Sequence, residues 1–271
     1  MAPHIVELHD AREAFDRARA FLIAEPAHHN LLLTILESSI EFSLGGSFWL
    51  VVDGTEVVGF GLESPPGMGA VLAPMPPSIS RGLAETITVP LPRVQGEAST
   101  VAAFAGAWTQ RYCVGAEPEG GRFYELGAVC AVADAPGRLR LAEPADRPTL
   151  VAWTIAFGGE TETMAAFAEQ VVDLAVAREQ MWVWDDGGPV SMTGASNAAA
   201  GVARIQRVYT PPEHRGRGYA TACVEHQSRL LAERGLGCVL YTQLSNPTSN
   251  GIYQRIGYRP IAETLVYRFA Q

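Results

Sequence analysis

The chain has 271 residues, 48% of them hydrophobic and 18% charged, with a formal net charge of −9. That length and apolar content can bury one large core or two ordinary ones. No apolar run approaches the roughly 20 residues of a membrane span, and the start Met1-Ala-Pro-His-Ile-Val-Glu lacks the basic and apolar segments of a secretory signal, so a cytoplasmic protein with no membrane partner is expected. The charge is uneven: residues 201–271 carry nine Arg and four Glu, a balance of +5, which leaves −14 for the first 200. All 20 basic residues are Arg. An acidic body disfavours nucleic acid, and the local arginine excess suits one small anionic ligand.

In chain order, amphipathic helical sequence covers Ala11–Ile23 and Asn30–Leu44. Between them His28-His29 reads as an exposed helix-start pair, with no Cys or acidic partner at ligand spacing, and no metal site is expected. Phe48–Gly61 reads as a hairpin turning at Asp53-Gly54. Val71-Leu-Ala-Pro-Met-Pro-Pro-Ser-Ile-Ser80 is proline-rich, Leu126–Ala133 reads as an apolar strand, and Asp134-Ala-Pro-Gly137 is a turn-rich joint. Beyond the joint come an opening strand and helix cap over Arg138–Asp146, and helices over Asp146–Phe157 and Thr163–Gln180. A second hairpin, Met181–Gly194, aligns with the first without gaps at an offset of 133. Trp49, Asp53, Gly54, Val57 and Gly61 meet Trp182, Asp186, Gly187, Val190 and Gly194. The matching context of both hairpins predicts tandem copies of one α/β domain, residues 1–135 and 136–271. Cys113, Cys130, Cys223 and Cys238 form no Cys-x-x-Cys pair and read as buried free thiols.

The most informative stretch follows. An apolar strand, Val202–Thr210, runs through a proline-led turn into Arg215-Gly-Arg-Gly218 and then a helix, Ala220–Arg234, stopped by Gly235. Gly216 and Gly218 let the backbone approach an anion, and Arg215 and Arg217 add positive charge where the first helical N–H groups lack partners. The stretch reads as a pyrophosphate cradle, with a solvated glycine-arginine loop as the alternative; it has neither the Gly-Lys-Ser/Thr of a nucleotide-hydrolase loop nor the spacing of a dinucleotide-binding fingerprint. A buried strand, Cys238–Thr242, then leads to Asn246-Pro-Thr-Ser-Asn-Gly-Ile-Tyr-Gln-Arg-Ile-Gly-Tyr258.

With these two segments the chain resembles the GCN5-related N-acetyltransferase superfamily. Arg215, Gly218 and Ala220 fill its phosphate-loop signature; Asn246, Ser249, Ile252, Tyr253, Gly257 and Tyr258 fill its later one. The resemblance implies an α/β (α+β) fold of two tandem domains, each a mixed, mostly antiparallel sheet flanked by helices. The first domain departs from the family: its expected loop region, Val71–Ser80, has no Arg-x-x-Gly-x-Gly, so it is expected to have lost cofactor binding, as in known double-domain members with one degenerate half. In the second, Val208, Thr210, Arg215, Gly216, Arg217, Gly218, Tyr219, Ala220, Thr221 and Asn246 would hold acetyl-CoA. The N–H of Val208 would face the thioester oxygen and Tyr253 would serve as general acid. Some branches carry a Glu on the strand before the loop; that position here is Arg204, and no acidic residue lies between Val202 and Thr210. Glu160 and Glu162 are the substitutes for a base, with Glu162 named, and a water chain would also serve. The expected activity is transfer of an acetyl group from acetyl-CoA to the amine of a small molecule. The alternative is a non-catalytic coenzyme-A-binding regulatory protein; homodimerisation stays open.

Overall fold

One series of elements occurs twice in the computed structural model, which describes residues 3–131, 135–158 and 162–270, the side chains of 162–166 excepted. The first series is β1 (His4–Leu8), α1 (Ala11–Ala24), α2 (Asn30–Glu41), β2 (Ser47–Asp53), β3 (Glu56–Glu63), β4 (Ala70–Leu72), α3 (Pro77–Thr86), β5 (Arg93–Glu97), α4 (Ala98–Tyr112) and β6 (Ala116–Leu126). The second is β7 (Arg138–Leu141), α5 (Arg147–Gly158), α6 (Glu162–Ala177), β8 (Met181–Asp185), β9 (Pro189–Ala195), β10 (Val202–Tyr209), α7 (Tyr219–Glu233), β11 (Gly237–Gln243), α8 (Pro247–Ile256) and β12 (Tyr258–Phe269). Pairing repeats as well. β1 to β4 are successively antiparallel and β4 is parallel to β5; β7 to β10 are successively antiparallel and β10 is parallel to β11. Each half is the mixed, mostly antiparallel sheet with helices that the sequence predicts.

The halves do not part at one point. One compact unit comprises Met1–Phe123, Tyr241–Asn246 and Pro260–Gln271; the other comprises Tyr124–Leu240 and Pro247–Arg259. The sequence reading divides the chain once, between 135 and 136, whereas each unit takes in segments distant in sequence. In the first unit β12 pairs antiparallel with β5, from Thr264↔Glu97 to Arg268↔Arg93. Phe269 packs there with Trp108 at a centroid distance of 5.7 Å, in a core that includes Trp49, Leu72, Leu83, Val94 and Phe104. The joint at 134–137 is described from Ala135 onward.

Local chemistry explains the elements. α1 buries Ala11, Ala14, Ala18 and Leu22 at three- and four-residue spacing, and the Asp10 side chain accepts the Glu13 N–H at 2.7 Å as its N-cap. β2 is buried along Phe48–Val52, as a strand covered on both faces must be. The two hairpins are both antiparallel, yet their registers differ by one residue. Trp49 faces Gly61, while its sequence counterpart Trp182 faces Thr193. The cause is the turn. Two residues, Gly54 and Thr55, separate Asp53 from Glu56, but three separate Asp185 from Pro189, where Gly188 N–H donates to Asp185 Oδ1 at 3.0 Å. A gapless alignment cannot register a longer turn with a compensating shift.

Three expectations are corrected. β6 ends at Leu126 instead of beginning there; after Gly127 the chain leaves the ladder, with Gly127 N–H on Gly257 O and Cys130 N–H on Ile256 O. The apolar run 126–133 resembled a buried strand by composition alone, and its residues 132–133 lie outside the described ones. His29 is buried, its ring stacked on Phe21 at 4.7 Å and its Nδ1 3.1 Å from Leu22 O, and burial lowers its pKa. Cys223 and Cys238 are buried free thiols as expected, but Cys113 and Cys130 are exposed. No described helix is long and apolar enough to cross a membrane.

Arg140 on β7 ties the second unit's edge together, with Nε on Asp185 Oδ2 at 2.6 Å and Nη1 and Nη2 on Asp146 at 2.6 and 3.0 Å. Its hydrogen bonds hold both carboxyls below their ordinary pKa. Depressed folded values mean that this stabilisation is present above the ordinary carboxylate range, about pH 4, and is lost as pH falls through the folded values. Arg140→Gln is expected to destabilise the unit by about 2 kcal/mol at pH 7, between an exposed pair and a fully buried one. The difference from wild type should shrink below about pH 4. Thermal denaturation between pH 3 and 7 checks both, and an unchanged melting temperature at pH 7 refutes them.

Candidate active site

β10 carries two kinds of residue on its two faces. Ala203 and Ile205 pack with Val224 and Leu231 of α7, and Val208 lies against the same cluster. Arg204 and Gln206 alternate with them and reach each other at 3.5 Å. The ladder to β11 runs from Val202↔Gly237 to Ile205↔Leu240. On the other edge, pairing with β9 goes from Gln206↔Gly194 to Tyr209↔Met192, so Arg207 and Val208 together oppose Thr193. That is a β-bulge, which removes residues from the ladder and re-aims them.

Past the bulge the chain is pinned from several sides. Ser191 Oγ donates to Tyr209 O at 3.1 Å and lies 2.8 Å from Thr210 Oγ1. Arg215 Nε donates to Thr210 O at 2.9 Å, with its guanidinium 5.9 Å from the Tyr209 ring; its Nη groups have no hydrogen-bond partner among the described residues. Gly216 and Gly218 have φ of 77° and 82°, left-handed values that a Cβ would strain. Gly218 is the N-cap of α7 and supplies no side-chain cap. The first α-helical bond is Ala222 N–H to Gly218 O at 3.0 Å, so the N–H groups of Tyr219, Ala220 and Thr221 are open donors at the positive end of the helix. Arg217 is exposed beside them. Tyr219 is buried, and its hydroxyl donates to Asp186 Oδ2 at 2.5 Å in the β8–β9 turn. That bond raises the phenol's pKa and anchors the loop, a role the sequence reading did not assign.

Tyr253 of α8 is in one core cluster with Val208, Tyr124 and Tyr258. Its ring centroid is 6.4 Å from that of Tyr124 and 6.1 Å from that of Tyr258. Burial pushes its pKa up to about 12, against a lowering hydrogen bond with Ser249. Tyr124, invisible to motif reasoning, steadies α8 by donating to Asn250 Oδ1 at 2.9 Å. Asn246 is exposed in the turn before α8, its N–H on Gln243 O at 3.1 Å, and belongs with the first unit's segments. Glu162 opens α6, but its side chain, and all of Glu160, lie outside the described residues. On the α5 side, Trp153 packs against Tyr209 at 6.2 Å.

The equivalent place in the first unit is closed. Ala73 N–H donates to Phe60 O at 2.8 Å, Met75 N–H to Thr100 Oγ1 at 3.0 Å, and Ile79 and Ser80 N–H to Pro76 O at 2.9 and 3.1 Å. Pro74, Pro76 and Pro77 have no N–H to offer. Thr100 Oγ1 also donates to Met75 O at 3.0 Å, so α4 occupies the loop that in the second unit faces outward.

Residues 189–267 match the family described as FR47-like protein. No curated protein sequence matches the chain. Solved structures share the fold over nearly the whole length. A Drosophila protein has a TM-score of 0.72 at 13% identity, covering 99% of each chain. A GNAT-family acetyltransferase from Colwellia psychrerythraea has a TM-score of 0.63 at 11% identity, covering 99% of this chain and 100% of that one. A tandem GNAT protein from the clavulanic acid biosynthesis pathway has a TM-score of 0.56 at 15% identity, covering 99% and 98%. The family match thus covers the strand, loop and helix that form the cradle, and the chain has the fold of GCN5-related N-acetyltransferase structures, a tandem one among them, from end to end.

Proposed function

We propose that the protein is an N-acyltransferase that moves the acetyl group of acetyl-CoA to the amine of a small molecule, using the second unit alone. The observation that carries this reading is the contrast between the open donors of Tyr219, Ala220 and Thr221, flanked by Arg215 and Arg217, and the proline-sealed loop of the first unit. A pyrophosphate fits the first arrangement, whereas in the second three prolines and the internal bonds of Ala73, Met75, Ile79 and Ser80 take up most of the donors. The pantetheine arm would run along Val208–Thr210.

In this mechanism the amine nitrogen attacks the thioester carbon, and the N–H of Val208, fixed by the bulge, stabilises the oxyanion of the tetrahedral intermediate. Collapse re-forms the carbonyl, breaks the C–S bond and releases the thiolate toward the Tyr253 hydroxyl. A primary amine has an ordinary pKa near 10 and arrives protonated. β10 carries Arg204 where a carboxylate would serve as base, so the proton goes to water or to Glu162. Calorimetry should give one acetyl-CoA per chain, and an amine panel should show acetyl-CoA-dependent thiol release. Two equivalents bound, or binding that survives charge reversal in the second unit's loop, would refute single-site use. Binding without thiol release from any amine would favour a regulatory protein.

A further inference from the structure

Arg207 is the one bulge residue of β10 with a left-handed backbone, φ 53°, a conformation that non-glycine residues hold only under constraint. Its Nη1 is 3.8 Å from the point where a Cβ on Gly194 would stand, so the side chain lies over that glycine of β9. Met192 belongs to the core beneath α5 and α6, with Leu150 and Val172, and residues two apart in a strand share a face. The guanidinium is therefore on the α5–α6 face, opposite α7, beside the Val208 backbone that the acyl-transfer mechanism uses.

Three other arginines of this unit have acids: Arg140 has Asp146 and Asp185, Arg147 has Glu169 and Asp173, and Arg229 has Glu225. Arg207 has neither a carboxylate nor a hydrogen-bond partner among the described residues. Arg207 is half-buried, and burial lowers its pKa, with no interaction among the described residues acting to raise it. A guanidinium stays charged at neutral pH, and taking that charge out of water without a partner is destabilising. Gly194 leaves the room the group occupies, so the strand pair accommodates the unpaired cation without excluding it.

We propose that Arg207 binds a carboxylate of the acyl acceptor, which makes the acceptor an amine that is also an acid, as amino acids are. The proposal rests on the acyl-transfer reading for the word acceptor. A planar fork pairs bidentately with a carboxylate, and one guanidinium balances its single charge, whereas a phosphate monoester carries about −1.5 to −2.

The test uses the full chain with the common amino acids, each paired with its decarboxylated amine, and with O-phosphoethanolamine paired with ethanolamine. Thiol release from acetyl-CoA and calorimetric binding are measured separately. At least one amino acid should exceed its decarboxylated partner by roughly tenfold or more in kcat/KM and in affinity, as expected of a charge-assisted contact. In Arg207→Met that preference should fall to about twofold or less, Arg207→Lys should retain part of it, and acetyl-CoA affinity should not change. The melting temperature of Arg207→Met should rise, where loss of a merely structural arginine would lower it. Preference for the decarboxylated amines, preference for the phosphorylated one, a carboxylate preference that survives Arg207→Met, or no carboxylate-dependent binding in the panel would each overturn the proposal. Arg207-dependent carboxylate binding without any thiol release would leave the anion site standing and remove the acyl-transfer reading.

Discussion

Charge reversal at Arg215 is expected to weaken acetyl-CoA binding by about 3 kcal/mol, roughly 150-fold, the upper end of one charge-assisted hydrogen bond with like-charge repulsion added. The residue is exposed and tethered through Nε to Thr210 O, leaving its Nη groups without a hydrogen-bond partner among the described residues. It is thus preorganised beside the open N-terminus of α7, where the helix end carries about half a positive charge. In Arg215→Glu a carboxylate would stand beside the pyrophosphate in place of a guanidinium. Part of the loss should be screened by salt, since the site faces solvent. Calorimetry at two ionic strengths measures both quantities. Equal affinity in wild type and variant would move the coenzyme elsewhere on the molecule.

Tyr253→Phe should lower kcat about 100-fold while leaving the dissociation constant of acetyl-CoA within a few-fold, because the change touches the leaving group and not the cradle. With the phenol at about 12 and a free thiol near 8.5, complete proton transfer in the resting geometry would be uphill by about 5 kcal/mol. Tyr253 therefore acts first as a hydrogen-bond donor to the charge developing on sulfur. It should stay protonated through the working range. In wild type the rate should rise with pH as the amine deprotonates, toward about 10, with no falling limb from an ordinary phenol near that value. Rapid-quench measurement of the chemical step in Tyr253→Phe decides the matter; an unchanged rate constant gives the proton to water.

Much of the candidate site is legible in the sequence because its determinants are local. Gly216 and Gly218 need their left-handed backbone whatever surrounds them, and α7 begins one residue before the predicted Ala220 and ends one before the predicted Arg234. β11, read as 238–242, spans Gly237–Gln243 for the same reason: a short apolar run bounded by turn residues. The bulge at Arg207 leaves only a slight trace in the sequence, where the alternation of Ala-Arg-Ile-Gln-Arg-Val slips at the polar pair Gln206-Arg207, and pairing with β9 identifies that slip as an extra residue. The Tyr219–Asp186 bond spans 33 residues and joins two turns, neither of which has a motif for the other. The pairing of β12 with β5 is the extreme case, with Thr264 and Glu97 at a sequence separation of 264 − 97 = 167. Hydrophobic pattern says that such a strand needs a neighbour; it does not say which.

That last pairing constrains how the protein is made. A ribosome releases the first 123 residues long before Pro260–Gln271 exist, so for most of translation β5 has an unsatisfied edge, the feature that invites pairing with a foreign chain. The N-terminal half cannot complete its sheet as an independent product, and vectorial, domain-by-domain folding gives way to a step that waits for the synthesis of β12. The same constraint bears on the gene. Although the repeat points to duplication, a cut between 135 and 136 would now part β12 from β5, even though each fragment would keep its own series of six strands.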